Sequence, residues 1–211
     1  MSSDRPSGSR SSAERSRDDP GLAELVRTRG APLLEALETH LPGSAEHAAT
    51  TASYARAIAL ALGVHQAVAD LYGEAAKLHD VGMVYVPKGI ALTPFERWDD
   101  AQRAQFEAHY EAGARLALGA GIPDDVCDWL LHIRERFDGG GPARLAGERI
   151  PLASRITRTA CACGLVLAAT PGGDPRRRRS EVLARLQPAS GAELDPATVT
   201  ALGAALERDL G

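Results

Sequence analysis

QAVADLYGEAAKLHDVG, residues 66–82, is the stretch on which the fold turns. Within it Val68, Tyr72, Ala75 and His79 follow the spacing i, i+4, i+7, i+11, which lines one face of a helix. The spacing predicts a helix over 65–79 whose apolar stripe ends on an imidazole, with the carboxylate of Asp80 directly after it. A lone helical histidine is more often a surface or hydrogen-bonded core residue than a ligand, so position has to decide. Two further histidines fall on inward faces: His109 shares a face with Phe106 and Leu116, and His47 points nearly the same way as Ile58. Burying several imidazoles among apolar side chains is costly unless they are paired or bind metal. An adjacent His-Asp pair at a helix terminus offers a nitrogen and an oxygen to the same cation.

The helical period extends outward from this stretch. From Gly21 onward, helices are expected near 21–29, 32–40, 44–62, 65–79, 94–118, 123–136, 151–169, 178–187 and 195–208, separated by Pro and Gly. Ser44 and Thr93 are expected as N-caps, Asp195-Pro196 as a cap with a first-turn proline, and Pro123 is followed by Asp124 and Asp125. One short extended piece is expected at 84–86, and the Gly-rich connection 138–150 reads as irregular. Composition agrees: hydrophobic residues make up 44% of the 211, aromatics 4%, and Ala and Leu, which lose little entropy in a helix, dominate. The fold class expected is all-α, a bundle of about seven to nine helices.

Residues 1–20, MSSDRPSGSRSSAERSRDDP, hold seven serines, four arginines and four acids. Such a segment cannot repay the entropy of ordering, so a disordered tail is expected before a single domain over 21–211. The balance of 24 Lys+Arg against 28 Asp+Glu gives −4, the wrong sign for a domain that grips nucleic acid nonspecifically. Three cysteines, an odd number, argue against a secreted disulfide scaffold. With no run of about 18 apolar residues and no N-terminal apolar region, neither a membrane span nor a signal peptide is expected, and the expected location is cytoplasmic.

The order of motifs narrows the class. His47 is followed by His79-Asp80-Val81-Gly82, by Val86-Pro87, by Leu92-Thr93-Pro94 and then by His109. Next come Glu135-Arg136-Phe137-Asp138-Gly139-Gly140-Gly141-Pro142, Leu145-Ala146-Gly147, Ile150-Pro151-Leu152-Ala153-Ser154-Arg155-Ile156 and Leu194-Asp195-Pro196. Over about residues 44–205 this series resembles the HD-GYP subgroup of the metal-binding HD superfamily, with its HHERWDGxGYP block, its L-x-G-x-x-IP connection, its ARI helix and its terminal F-D-P. The resemblance implies an HD-type helical bundle that binds two or three iron-like metals and hydrolyses cyclic-di-GMP. Residue by residue, it implies metal ligands at His47, His79, Asp80 and His109, with Asp80 and His109 also in catalytic roles. Arg134 and Arg136, flanking Glu135, are expected to contact substrate.

The departures from the family pattern bear on chemistry. The family's Glu four residues before its first His is Gly43 here, and its Lys three residues after the HD Asp is Met83. The paired histidines before Glu135 are Ile133 and Arg134, with His132 one position earlier, and Gly141 runs straight into Pro142 without the Tyr. The late Asp of R-I-x-x-x-x-D is Cys161. Two-metal hydrolysis needs one cation to activate water and another to neutralise the displaced oxygen. Losing a carboxylate and two imidazoles is expected to empty the second and third positions. Two outcomes stay open: a reduced site of His47, His79 and Asp80 that holds one divalent metal with Cys161 as a soft fourth ligand, or a cavity without metal in which Cys161 is a buried hydrophobe. The first donor set suits Zn²⁺ better than a di-iron centre, although Fe or Mn belongs to the same expectation.

Two functions follow from this reading. The first is a degenerate HD-GYP domain that does not hydrolyse cyclic-di-GMP and works by binding a nucleotide or a protein partner. The second is a metal-dependent phosphohydrolase whose reduced site acts on a phosphate ester. Other features carry less. Cys161 and Cys163 diverge by about 200° on a helix and cannot chelate one ion together. Gly139–Gly141 lacks the preceding strand and following Lys-Ser/Thr of a phosphate loop. Arg176–Arg179 reads as solvated loop charge, and Trp98 and Trp129 as core.

Overall fold

The computed structural model describes residues 20–170 and 174–208. The disordered tail expected over 1–20 lies outside them, except that Pro20 already opens the first helix. Among the described residues there are nine α-helices: α1 Pro20–His40, α2 Ser44–Ala61, α3 Gln66–Lys77, α4 Lys88–Ala91, α5 Asp100–Gly119, α6 Asp124–Leu131, α7 Leu152–Ala169, α8 Pro175–Leu186 and α9 Pro196–Arg208. Among the described residues no strand forms, and the only ladder-type pairing is an isolated bridge between Ser190 and Leu194. The all-α expectation stands.

α2 is central, packing against α3, α7 and α9, while α1 lies across α3 and α5 packs on the turn after α3 and on α6. Ile58, Leu71, Leu78, Ile156 and Leu202 are buried where these helices meet, each burial stabilising the fold by about 1.5–3 kcal/mol. Trp129 joins them, its ring edge-on to Tyr72 at 5.1 Å. A smaller cluster of Leu37, Met83, Val86, Ile90 and Trp98 seals the far side of the turn after α3. α7 is the one described helix long and apolar enough to cross a membrane by length and composition. It nevertheless buries Ala153, Ile156 and Ala160 in this core, and its Arg155 meets the buried Asp195 at 2.5 Å.

Several boundaries differ from the sequence reading, each for a local reason. The helices expected at 21–29 and 32–40 are one, with Pro32 inside it. Pro32 lies on the exposed side, where water can serve the carbonyl it leaves unpaired, and Val26 and Leu37 anchor the helix on either side. Ser44 does not cap α2. Gly43 holds that position at φ 95°, the Glu38 carboxylate accepts from Gly43 N and Ala45 N at 3.0 and 2.8 Å, and Ser44 Oγ turns back to Leu41 O. Thr93 does not start α5 either: its hydroxyl donates to Gly89 O, and Asp99 caps the helix through a capping box with Gln102. The piece expected to be extended at 84–86 is mostly a 3-10 turn, Val81–Tyr85, with Val86 alone extended at its end. α6 stops at Leu131 rather than 136, because the chain must turn to bring Glu135 under the following loop.

Candidate metal centre

Four segments deliver the candidate ligands. His47 stands in the first turn of α2, His79 and Asp80 just past the end of α3, His109 midway along α5, and Cys161 midway along α7. Gly82 allows the approach of α5 to the His-Asp turn. A Cβ there would come within 1.9 Å of His109 O and 2.6 Å of Gly113 N, so only glycine fits.

The donor atoms converge. His47 Nε2 lies 3.2 Å from His79 Nε2 and 3.7 Å from Cys161 Sγ, and donor atoms of all three residues fall within 4.8 Å of one another. Asp80 Oδ2 is 3.1 Å from His79 Nε2 and 3.8 Å from His47 Nε2, and its Oδ1 is 3.4 Å from His109 Nε2. The ring orientations are fixed from behind. His79 Nδ1 donates to Ala76 O at 2.8 Å and His109 Nδ1 to Phe106 O, which turns each Nε2 toward the centre.

Electrostatics tie the group together. Burial alone pushes the His79 imidazole down, but Asp80 and Cys161 outweigh it and hold His79 well above the histidine range. Burial likewise raises Asp80, and His79 and His109 overcome that to hold it well below the carboxylate range. Burial raises the Cys161 thiol and the two imidazoles lower it, leaving it at about 7. Cys127, raised by burial and by Asp124, has no such partners.

The residues fit a divalent ion. His109 Nε2 is buried without a hydrogen-bond partner, 3.4 Å from Asp80 Oδ1, an expensive state for a polar atom. The donors are two imidazoles and a thiol, with a carboxylate beside them. That is a set for Zn²⁺ or a related borderline cation rather than for a hard oxygen-seeking ion.

The structure therefore brings together His47, His79, Asp80, His109 and Cys161. Arg134 lies next to them, its guanidinium 5.5 Å from the ring centroid of Tyr110, which in turn stacks on His109 at 3.7 Å. Arg136 is engaged elsewhere, by Asp138 at 2.6 Å and Glu193 at 3.1 Å. His132 folds back on Asp128, and His40 meets Val86 O at 2.9 Å. Ile133 is buried in the main core and Met83 in the smaller cluster. Glu135, also buried, accepts from Ala143 N at 2.6 Å and Leu145 N at 3.0 Å and so holds the Gly-rich loop. The sequence reading did not single out Tyr110 or Arg158. Their signal was helical spacing: Tyr110 adjoins His109, and Arg158 is one turn before Cys161.

A bundle that gathers imidazoles, a carboxylate and a thiol from four segments defines a helical domain with a candidate metal centre. Residues 33–198 match the family model described as HD domain, and the chain belongs to that family. It is 30% identical over 184 residues to the cyclic di-GMP phosphodiesterase response regulator RpfG of Xanthomonas campestris pv. campestris, covering 86% of this chain and 48% of that protein. A 3'3'-cGAMP-specific phosphodiesterase of Vibrio cholerae is 30% identical over 131 residues, 61% of this chain and 25% of that one. The chain thus spans about half or less of the length of these curated relatives. The fold matches the HD domain of the Listeria monocytogenes phosphodiesterase PgpH, solved in complex with cyclic-di-AMP (TM-score 0.64, 15% identity, covering 85% of this chain and 95% of that one). It also matches an HDG"Y"P protein from Bdellovibrio bacteriovorus, with TM-score 0.63, 20% identity and coverage of 78% and 52%.

Proposed function

We propose that this domain binds one divalent ion through His47, His79, Asp80 and Cys161, with His109 beside it. On this reading it holds a phosphate-containing ligand, a cyclic dinucleotide first, without being an efficient cyclic-di-GMP phosphodiesterase. The observation that carries the reading is the contrast in donors. His47, His79 and Cys161 place theirs within 4.8 Å of one another, whereas Ile133 and Arg134 offer no ligand atom for a further ion. A bound divalent ion would polarise a phosphoryl oxygen as a Lewis acid. The protein's own groups do the rest. Ala76 O and Phe106 O hold the His79 and His109 rings in place, with His109 Nε2 3.4 Å from Asp80 Oδ1. The cyclic dinucleotides named for the relatives support the ligand class.

A second reading, a phosphohydrolase acting on a simpler ester with a single ion, is favoured by the retained pairing of Asp80 with His109. Anaerobic assays with cyclic-di-GMP and with p-nitrophenyl phosphate, each with Fe²⁺, Mn²⁺ or Zn²⁺, separate the two. No cyclic-di-GMP turnover above that of His79→Ala is expected. Robust turnover that His79→Ala abolishes would overturn the proposal, and turnover of the monoester alone would establish the second reading.

A further inference from the structure

The flank of the centre beside Tyr110 is cationic. Arg158 stands three residues before Cys161 on α7, so both lie on the same helix face. Its side chain is only 14% exposed, with Nη2 3.0 Å from Glu193 and Nη1 3.4 Å from Ile133 O, while Nε is buried with no partner. Glu193 is not Arg158's alone, because Arg136 holds its other oxygen at 3.1 Å. Arg134 approaches from the turn after α6, over the Tyr110 ring, with the exposed Glu107 at 3.7 Å as its ion-pair partner.

Burial first, and then the charge of Arg134, hold the Arg158 guanidinium below the arginine range, so the two cations are close enough to repel. Tyr110 links this flank to the centre, its ring 3.7 Å from that of His109 on one side and 5.5 Å from the Arg134 guanidinium on the other. Each arginine has one carboxylate to lean on, but Arg158 Nε stays buried without a partner and Glu193 is divided between Arg158 and Arg136, an arrangement that an added anion would relieve. Planar guanidinium donors match the oxygens of phosphate.

We propose that Arg134, over the Tyr110 ring, and Arg158, bonded to the carbonyl just before Arg134, form a phosphate-binding clamp beside His109 and Asp80. It supplies from side chains the positive charge that a second cation would otherwise bring. The proposal deepens the reading of the centre as a phosphate-ligand site and rests on it for the ligand class.

Titration calorimetry of inorganic phosphate and of cyclic-di-GMP tests the clamp, on Zn²⁺-loaded protein and on protein stripped with a chelator. Arg134→Gln and Arg158→Gln are each expected to weaken binding roughly ten-fold, with metal content unchanged. Arg158→Lys is expected to fall between, and Arg177→Gln, on the exposed face of α8, to match wild type. If Arg158→Gln fails to fold, Arg134→Gln, whose guanidinium is more exposed, carries the test alone. A loss with either probe supports the clamp and shows whether a free phosphate or a diester is held. Unchanged affinity for both probes, or a loss that appears only together with loss of metal, would overturn it. Arginine-dependent binding in stripped protein, with no metal bound by wild type, would uphold the clamp while the single-ion reading failed.

Discussion

His47, His79 and Cys161 direct their donor atoms at one another, whereas the stretch where the HD-GYP pattern carries its paired histidines is tied into its own loop and into Glu193. On the first side the His79 and His109 rings are braced by backbone carbonyls, which turn their Nε2 atoms toward the centre. On the second, Glu135 gives both oxygens to loop amides, Arg136 pairs with Asp138 and Glu193, and Ile133 joins the core. The difference teaches that the two sides are packed for different ends. Where the HD-GYP pattern has paired histidines, Ile133 fills the core and Arg134 lies over Tyr110, while on the other side His47, His79 and Cys161 converge with a thiol where that pattern has a carboxylate.

That comparison breaks most readily at His79. His79→Ala is expected to lower Zn²⁺ affinity at least about 100-fold while leaving the loop side folded, which metal analysis and circular dichroism would check together. Glu135→Ala should do the reverse. It leaves two loop amides without their acceptor and is expected to cost about 2–3 kcal/mol of stability in urea unfolding, with metal retained. Cys161→Ser is expected to reduce Zn²⁺ affinity roughly ten-fold, and Cys161→Asp to shift preference toward Mn²⁺ or Fe²⁺. A thiol that did not ligate would leave both measurements unchanged. The smallest effect is the share of the pH dependence that Cys161 carries, apart from the proton that His79, held well above the histidine range, must also lose before it ligates. The Cys161 proton leaves at about 7 in the folded protein and must leave before metal binds. Lowering pH restores that proton, so Zn²⁺ affinity should fall about three-fold between pH 7.5 and 6.5 from this group alone. Cys161→Ser should lose that share of the pH dependence.

The ligand side was legible because a helical period fixes which residues share a face. The stripe from Val68 to His79 and the faces of His109 and His47 needed no tertiary information to point inward. Cys161 was legible only through its place in an ordered motif. Arg158 was not, because a charged residue in an otherwise apolar helix reads as a solvated position until its neighbours are known. Helix ends were least legible where a distant group decides them. Glu38 supplies the N-terminal hydrogen bonds of α2 from the preceding helix, and Glu135 draws the chain out of α6. The start of α5 was written locally, in Asp99 and Gln102, and was obscured by the equally plausible Thr93 six residues earlier.

Metal stoichiometry tests the single-ion account most directly. Protein purified anaerobically, with iron, manganese and zinc all supplied during expression, should carry about one divalent ion per chain, predominantly Zn²⁺, and His79→Ala should carry almost none. Two or three ions per chain would contradict the account by showing that the loop side still ligates. A wild-type protein with no ion above the His79→Ala level would contradict it from the other direction.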